Sequence, residues 1–227
     1  MNNLPSPVQT LIRYLIVVSV PVALVMMMVR LLMTPAFPEV EYRMPGFPDD
    51  PYGFTMDERL QYSKIAIEYL LNDEGIEFLG DLTFEDGRPL YNQRELKHMV
   101  DVKVVTQAAL QVWYVSLVIL FGMGIWAKQR DWWDVYKAAL VQGSWLTVVL
   151  LGAIVLFVLA AFGVAFVWFH EIFFEAGTWT FLYSDTLIRL FPERFWQDCF
   201  LYIGGGAILA AALIIWLAKA RSETESA

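Results

Sequence analysis

The sequence predicts an all-α integral membrane protein, with four transmembrane helices and a mostly helical extracytoplasmic domain between the first and the second. Three observations carry this. Hydropathy marks four apolar stretches, roughly 11–33, 104–127, 138–169 and 200–218, and a hydrocarbon core about 30 Å thick is crossed by roughly 20 apolar helical residues. The composition is 58% hydrophobic and 15% aromatic, as lipid-facing helices and interfacial aromatic belts require. Charge is segregated: residues 34–103 hold 15 acidic and seven basic side chains, so the net −8 of the whole chain resides there and the remainder is close to neutral.

Residues 1–33 read as the first transmembrane helix. Its apolar run is too long for a signal-peptide core and no small-residue cleavage site follows, so it is an uncleaved signal anchor. Pro21 bends it, and Arg30 either snorkels to the headgroups or binds an anionic one. The extracytoplasmic domain spans 34–103. Its opening stretch, Pro35 to Gly53, has five prolines and two glycines, which excludes regular helix and suggests a chain pinned across a surface. Thr55-x-x-Glu58 is a capping box that opens an amphipathic helix over about 56–73. Leu60, Ile67, Leu70 and Leu71 lie on one face, with Asp57, Lys64 and Glu68 on another. Leu82 to Tyr91 reads as a short hairpin turned at Asp86-Gly87. Asn92-x-x-Glu95 is a second capping box, and one helix runs from about 93 into the second span, 104–127.

The connection 128–137 carries Lys128, Arg130 and Lys137, and the C-terminal tail adds Lys219 and Arg221. The positive-inside rule makes both cytoplasmic, and with them both termini. The third span, 138–169, is longer than a bilayer needs and must tilt or protrude. Residues 170–199 read as an extracytoplasmic re-entrant or interfacial segment. Ser184 or Asp185 caps a short helix there whose Leu187, Ile188 and Phe191 lie against lipid. Pro192 starts the last helix, and 200–227 holds the fourth span and a cytoplasmic tail. Gly204-Gly-Gly206 permits close helix contact. The lone Cys199 excludes an intrachain disulfide and reads as packing.

Function is constrained next. No basic stripe exists, so nucleic acid is excluded as a partner. Phosphate loops, Gly-x-Ser-x-Gly elbows and Cys-x-x-Cys pairs are missing. The chain has two histidines, His98 and His170, which fall in the two connections on the outer side, at one water–lipid boundary. Imidazole is the side chain suited to proton transfer near neutral pH, so the pair suggests chemistry on something resident there, such as a lipid ester. Asp101, one turn from His98, either fixes its tautomer or solvates the helix end. Glu171 flanks His170. Asp185 and Arg189, four residues apart, read as an ion pair or as support for a headgroup contact. A metal site would join both histidines through carboxylates such as Asp101, Glu171 or Asp185, but no ligand spacing supports it.

The elements Glu95-x-x-His98-Met-x-Asp101-Val, Phe169-His170-x-Ile-Phe-Phe and Asp185-Thr-Leu-Ile-x-Leu-Phe-Pro192 resemble the lipoprotein intramolecular transacylase (Lit) family of bacterial membrane proteins. The resemblance covers nearly the whole chain. It implies an acyltransferase of the cell membrane that needs no cofactor and acts on a diacylated lipoprotein. The sn-2 fatty acyl chain of the diacylglyceryl group would move to the α-amine of the N-terminal cysteine, giving the lyso form. It also implies that His98 and His170 carry the chemistry, facing outward at the outer leaflet. Two other classes stay open on the residues alone: a metal-dependent membrane hydrolase using the same histidines, and a non-catalytic scaffold or sensor whose acidic loop binds a partner.

Overall fold

A computed structural model describes the backbone of residues 5–225 and side chains to 220. Eight helices follow one another: α1 (Ser6–Leu32), α2 (Ala36–Glu41), α3 (Met56–Leu71), α4 (Glu77–Gly80), α5 (Gln93–Gln129), α6 (Trp133–Phe173), α7 (Thr186–Leu190) and α8 (Glu193–Glu225). No strand forms among the described residues; one antiparallel bridge, Thr83 to Pro89, closes the turn at Gly87. Four helices, within α1, α5, α6 and α8, are long and apolar enough to cross a membrane. Their outward side chains are apolar too: Val118, Phe121, Leu156 and Leu209 are each about 70% exposed. Water would not tolerate such a surface, whereas lipid is its natural solvent.

The chain divides into two compact units. The span unit comprises the chain up to Val29, Leu110–Leu159 and the chain from Leu201 on. Its largest cluster packs Ile12 and Ile16 of α1 with Ala127, Trp132, Tyr136 and Ala139. The Tyr136 hydroxyl donates to the Leu120 carbonyl at 2.8 Å and the Trp113 indole donates to Ala23 at 3.2 Å. Small residues let these helices approach. A Cβ on Gly143 would lie 2.7 Å from both the Val17 carbonyl oxygen and Val20 Cβ, and one on Gly204 would lie 2.4 Å from Val155 Cγ2. Gly206 is closed off by Met28, whereas Gly205 faces open space. The close-contact role expected of the glycine run therefore falls on its first and third members.

The loop unit comprises Arg30–Ala109 and Ala160–Phe200. Contrary to the expectation that its proline-rich opening excludes helix, α2 forms one short helix there. Pro38 falls in its first turn, where a missing N–H deprives the helix of nothing. The Thr55/Glu58 capping box starts α3 as expected, each side chain bonding the other's backbone N–H. The buried face of α3 is wider than an apolar stripe, because Arg59, Ser63 and Tyr69 are buried with Leu60, Ala66 and Ile67. A second correction concerns α7. Leu187 was expected against lipid; instead Leu187 and Leu190 sit in the domain core with Phe54, Leu79, Leu90, Tyr91 and Leu96. Polar ties at its first and last residues hold the five-residue helix in that core. Thr186 Oγ1 donates to the Leu90 carbonyl, and Tyr42 Oη donates to the Leu190 carbonyl at 2.7 Å. Cys199 packs with Tyr42, Leu60 and Phe195, as a buried thiol without a partner does.

The glycine contacts make a stability prediction. Gly143→Ala forces its methyl against backbone and should destabilise the protein by about 1–3 kcal/mol. Gly205→Ala should be neutral. Thermal unfolding midpoints in detergent would check both.

Candidate active site

The loop unit brings the two histidines together. His98 lies on the second turn of α5 and His170 on the last turn of α6, with ring centroids 6.2 Å apart and planes 23° from parallel. Each residue is only 8% exposed. Aromatic rings enclose them: Phe174 lies 5.0 Å from His98 and 5.6 Å from His170, Phe181 lies 5.3 Å from His98, and Phe166 and Trp179 lie 4.2 and 4.8 Å from His170. His170 Nδ1 is 2.8 Å from the Phe166 carbonyl oxygen. A carbonyl only accepts, so Nδ1 carries the proton and Nε2 is left as the basic nitrogen. His98 Nδ1 is buried with no hydrogen-bond partner.

The local sequence explains this placement. Asn92 caps α5: its Oδ1 accepts from the Arg94 and Glu95 N–H groups, while Glu95 Oε2 accepts from the Asn92 N–H at 2.8 Å. That is the expected capping box. The same carboxylate does more, because Oε1 accepts from the Leu187 N–H at 2.7 Å, and the residue is 1% exposed. Glu95 thus satisfies a backbone donor at the start of α5 and another at the start of α7, three residues before His98.

The other candidates separate. Asp101 makes no hydrogen bond to His98 Nδ1, so it does not orient the ring through that nitrogen. Glu171 is exposed on α6. Asp185 and Arg189 do not pair with each other. Asp185 accepts from Arg94 and Asn92 side chains at 3.2 Å and from the Leu182 N–H at 2.8 Å. Arg189 instead makes a forked ion pair with Asp50, with Nη2 2.9 Å from Oδ2, and lies 3.6 Å over the Phe54 ring. Both side chains of that pair are shielded from water. The partner of Arg189 lies 139 residues earlier in a proline-rich loop, and no periodicity or spacing links the two. Among the described residues no group of three His, Cys, Asp or Glu side chains converges as a metal site.

Fold and site together define a multi-pass membrane protein with a two-histidine site walled by aromatic rings. The model of the family described as lipoprotein intramolecular transacylase Lit matches residues 14–196. The chain belongs to that family, and with it to the acyltransferases of the membrane. A protein of Aquifex aeolicus (strain VF5), described as uncharacterized, is 29% identical over 209 residues, covering 91% of this chain and 92% of that one. The solved structure of the transacylase Lit from Bacillus cereus superposes with a TM-score of 0.73 at 23% identity, over 96% of this chain and 100% of that one. A form of it with a histidine-to-alanine mutation superposes at 0.71 and 21% identity, over 96% of each. These likenesses support the all-helical membrane fold.

Two predictions follow from the buried carboxylates. Glu95→Ala leaves the Asn92 and Leu187 N–H groups without acceptors, at about 1–3 kcal/mol each. Glu95→Gln keeps one acceptor oxygen and should lose about half as much, read by thermal unfolding and amide exchange at Leu187. The second prediction concerns pH. Burial alone would raise the pKa of Asp50, but the hydrogen bonds from Arg189 and from the Phe54 N–H, with the guanidinium charge, outweigh it and hold the pKa below its ordinary 3.8. The folded state then binds fewer protons than the unfolded one, so this pair contributes its full stability above pH 3.8. The contribution is lost as pH falls through the folded value. Hydrogen exchange over 44–60 should be flat in this contribution down to pH about 4 and rise below it, and Asp50→Asn should remove that rise.

Proposed function

We propose that this chain moves the sn-2 acyl chain of a diacylglyceryl lipoprotein to the α-amine of the lipoprotein's N-terminal cysteine, with His98 and His170 handling the protons. The observation that carries the assignment of residues is the pairing of the chain's only two imidazoles inside one aromatic enclosure. The substrate supplies both nucleophile and ester, so the protein needs no serine or cysteine nucleophile of its own.

The amine has a pKa near 8 and is partly neutral at physiological pH. As its nitrogen bonds to the sn-2 carbonyl carbon, His170 Nε2 takes one of its protons, the tautomer being fixed by the Phe166 carbonyl. The adduct collapses by breaking the bond from carbon to the glyceryl oxygen, which takes the proton from the His170 imidazolium, while His98, kept neutral because burial and His170 push its pKa down to about 4, hydrogen-bonds to that oxygen as it leaves. A second positive charge beside His170 would be repelled, which together with burial keeps His98 neutral throughout. His170 ends as it began, a neutral imidazole, so the cycle closes without an outside proton. Ester becomes amide, an alcohol is freed, and total mass is unchanged.

The charge pattern supports an arrangement in which both termini and the 128–137 connection are cytoplasmic and the histidines face outward, where a lipoprotein's amine and ester reside. Residues 34–103 and 170–199 would then be the extracytoplasmic parts.

A purified diacylated lipopeptide incubated with the protein should show an acyl chain relocated to the N-terminal amine at unchanged mass, by fragmentation mass spectrometry. His98→Ala and His170→Ala should each lower the rate by about 10²–10⁴-fold. Loss of a fatty-acid mass instead would indicate hydrolysis, and full activity in both variants would refute the assignment.

A further inference from the structure

Acyl transfer needs a donor for the carbonyl oxygen as it takes up negative charge, and neither histidine is well supplied to provide it. The Nδ1–H of His170 is spent on the Phe166 carbonyl, and its Nε2 is the base. Neutral His98 has a single N–H, and that is engaged with the leaving oxygen. Phe166, Phe169, Phe174 and Phe181, the phenyl rings packed on the pair, have no N–H or O–H. Trp179 is different. Its indole packs on the His170 ring at 4.8 Å and 33°, and its Nε1 is buried without a hydrogen-bond partner. A buried donor left unmatched is destabilising, so its persistence beside a reactive imidazole calls for a reason. Among the described residues in ring contact with the two histidines, this is the N–H not already committed.

We propose that Trp179 is a further catalytic residue, donating its indole N–H to the sn-2 carbonyl oxygen as the tetrahedral adduct forms. The inference rests on the transacylase reading above. In the first step the carbonyl π electrons move onto oxygen as the amine nitrogen bonds to carbon, and the indole hydrogen bond shortens onto that charge. It relaxes when the carbonyl re-forms and the glyceryl oxygen departs with its proton. The indole is not itself deprotonated, since it serves only as a donor. Access is consistent with this role. The segment carrying Trp179 is fastened to α5 by two surface ion pairs, Lys97 to Glu175 at 3.7 Å and Arg94 to Asp185 at 3.2 Å. A displacement of this segment that admits an ester to two imidazoles 8% exposed also admits it to the neighbouring indole. A donor fixed before the reaction stabilises the adduct more than the ground-state ester, so its effect belongs in kcat.

The test compares the full-length wild type with Trp179→Phe and Trp179→His on one diacylated lipopeptide in mixed micelles, measuring kcat and KM from the rate of acyl relocation. Phenylalanine keeps the packing and removes the N–H, so kcat should fall about 10²–10³-fold with KM nearly unchanged. Histidine restores a ring N–H and should recover part of the loss. If Trp179→Phe proves unstable in a thermal melt, the benzothienyl analogue of tryptophan at 179 replaces N–H by sulfur in a ring of the same shape, and the same fall in kcat is expected. A kcat within about threefold of wild type for either N–H-less form would overturn the inference while leaving the transacylase reading intact. So would a loss appearing only in KM. Failure of the wild type itself to relocate an acyl chain would remove the transacylase reading, and this inference with it.

Discussion

The carboxylate of Glu95 is the constraint on which the loop unit depends. One oxygen closes the capping box of α5 and the other caps α7 through Leu187, 92 residues further along the chain, so a single buried side chain fixes the beginnings of two helices. An ionised group taken out of water is tolerable only where hydrogen bonds replace its hydration. Backbone donors, which cannot rotate away, supply both oxygens, and burial still holds the Glu95 pKa above its ordinary value. The consequence reaches His98 through less than one turn of helix, because the backbone that carries the imidazole is the backbone Glu95 anchors. Around α7 the same logic repeats: Thr186, Leu187, Arg189 and Leu190 each engage a different part of the unit.

Much of this was legible in the residues. The apolar runs gave the four long helices, and the two capping boxes gave the starts of α3 and α5, because both signals are local and depend on spacing alone. His98 and His170 were expected at one boundary, and their rings lie 6.2 Å apart. What stayed hidden is non-local. Nothing in Asp50, set between prolines, announces Arg189 as its partner, and the i,i+4 spacing of Asp185 and Arg189 pointed to a pair that tertiary contacts outbid. The proline count in 35–53 concealed α2, since a count ignores that a helix's first turn tolerates proline. Leu187 resembled a lipid-facing residue because an apolar side chain carries no mark of whether lipid or protein will cover it. Trp179 showed no signal beyond its aromaticity, and its unmatched N–H is a property of the fold.

The enclosure of the histidines has a chemical logic. Aromatic walls supply no competing hydrogen bonds, so the few polar atoms present keep defined roles: a carbonyl sets the tautomer of His170, while His98 Nδ1 and Trp179 Nε1 remain uncommitted. In a low-dielectric setting of this kind, charge–charge and charge–dipole effects are stronger than in water. A reaction that shuffles one proton and transiently builds one negative charge gains most from such surroundings. Membership of the transacylase family gives that reasoning a substrate whose own amine and ester complete the cast.

The direction of the ties around α7 also bears on how the molecule is made. Asp50, Leu90 and Glu95 precede their partners Arg189, Thr186 and Leu187 by roughly ninety to 140 residues. A ribosome delivers the chain from its N-terminus, so the loop before α3 and the start of α5 emerge with two carboxylates, Asp50 and Glu95, whose α7 partners do not yet exist. Until the chain reaches residue 190 their α7 partners are absent, so both carboxylates keep their hydration. A nascent chain stalled between His170 and α7 thus holds both histidines yet lacks the segment that shields Asp50 and takes up the second oxygen of Glu95.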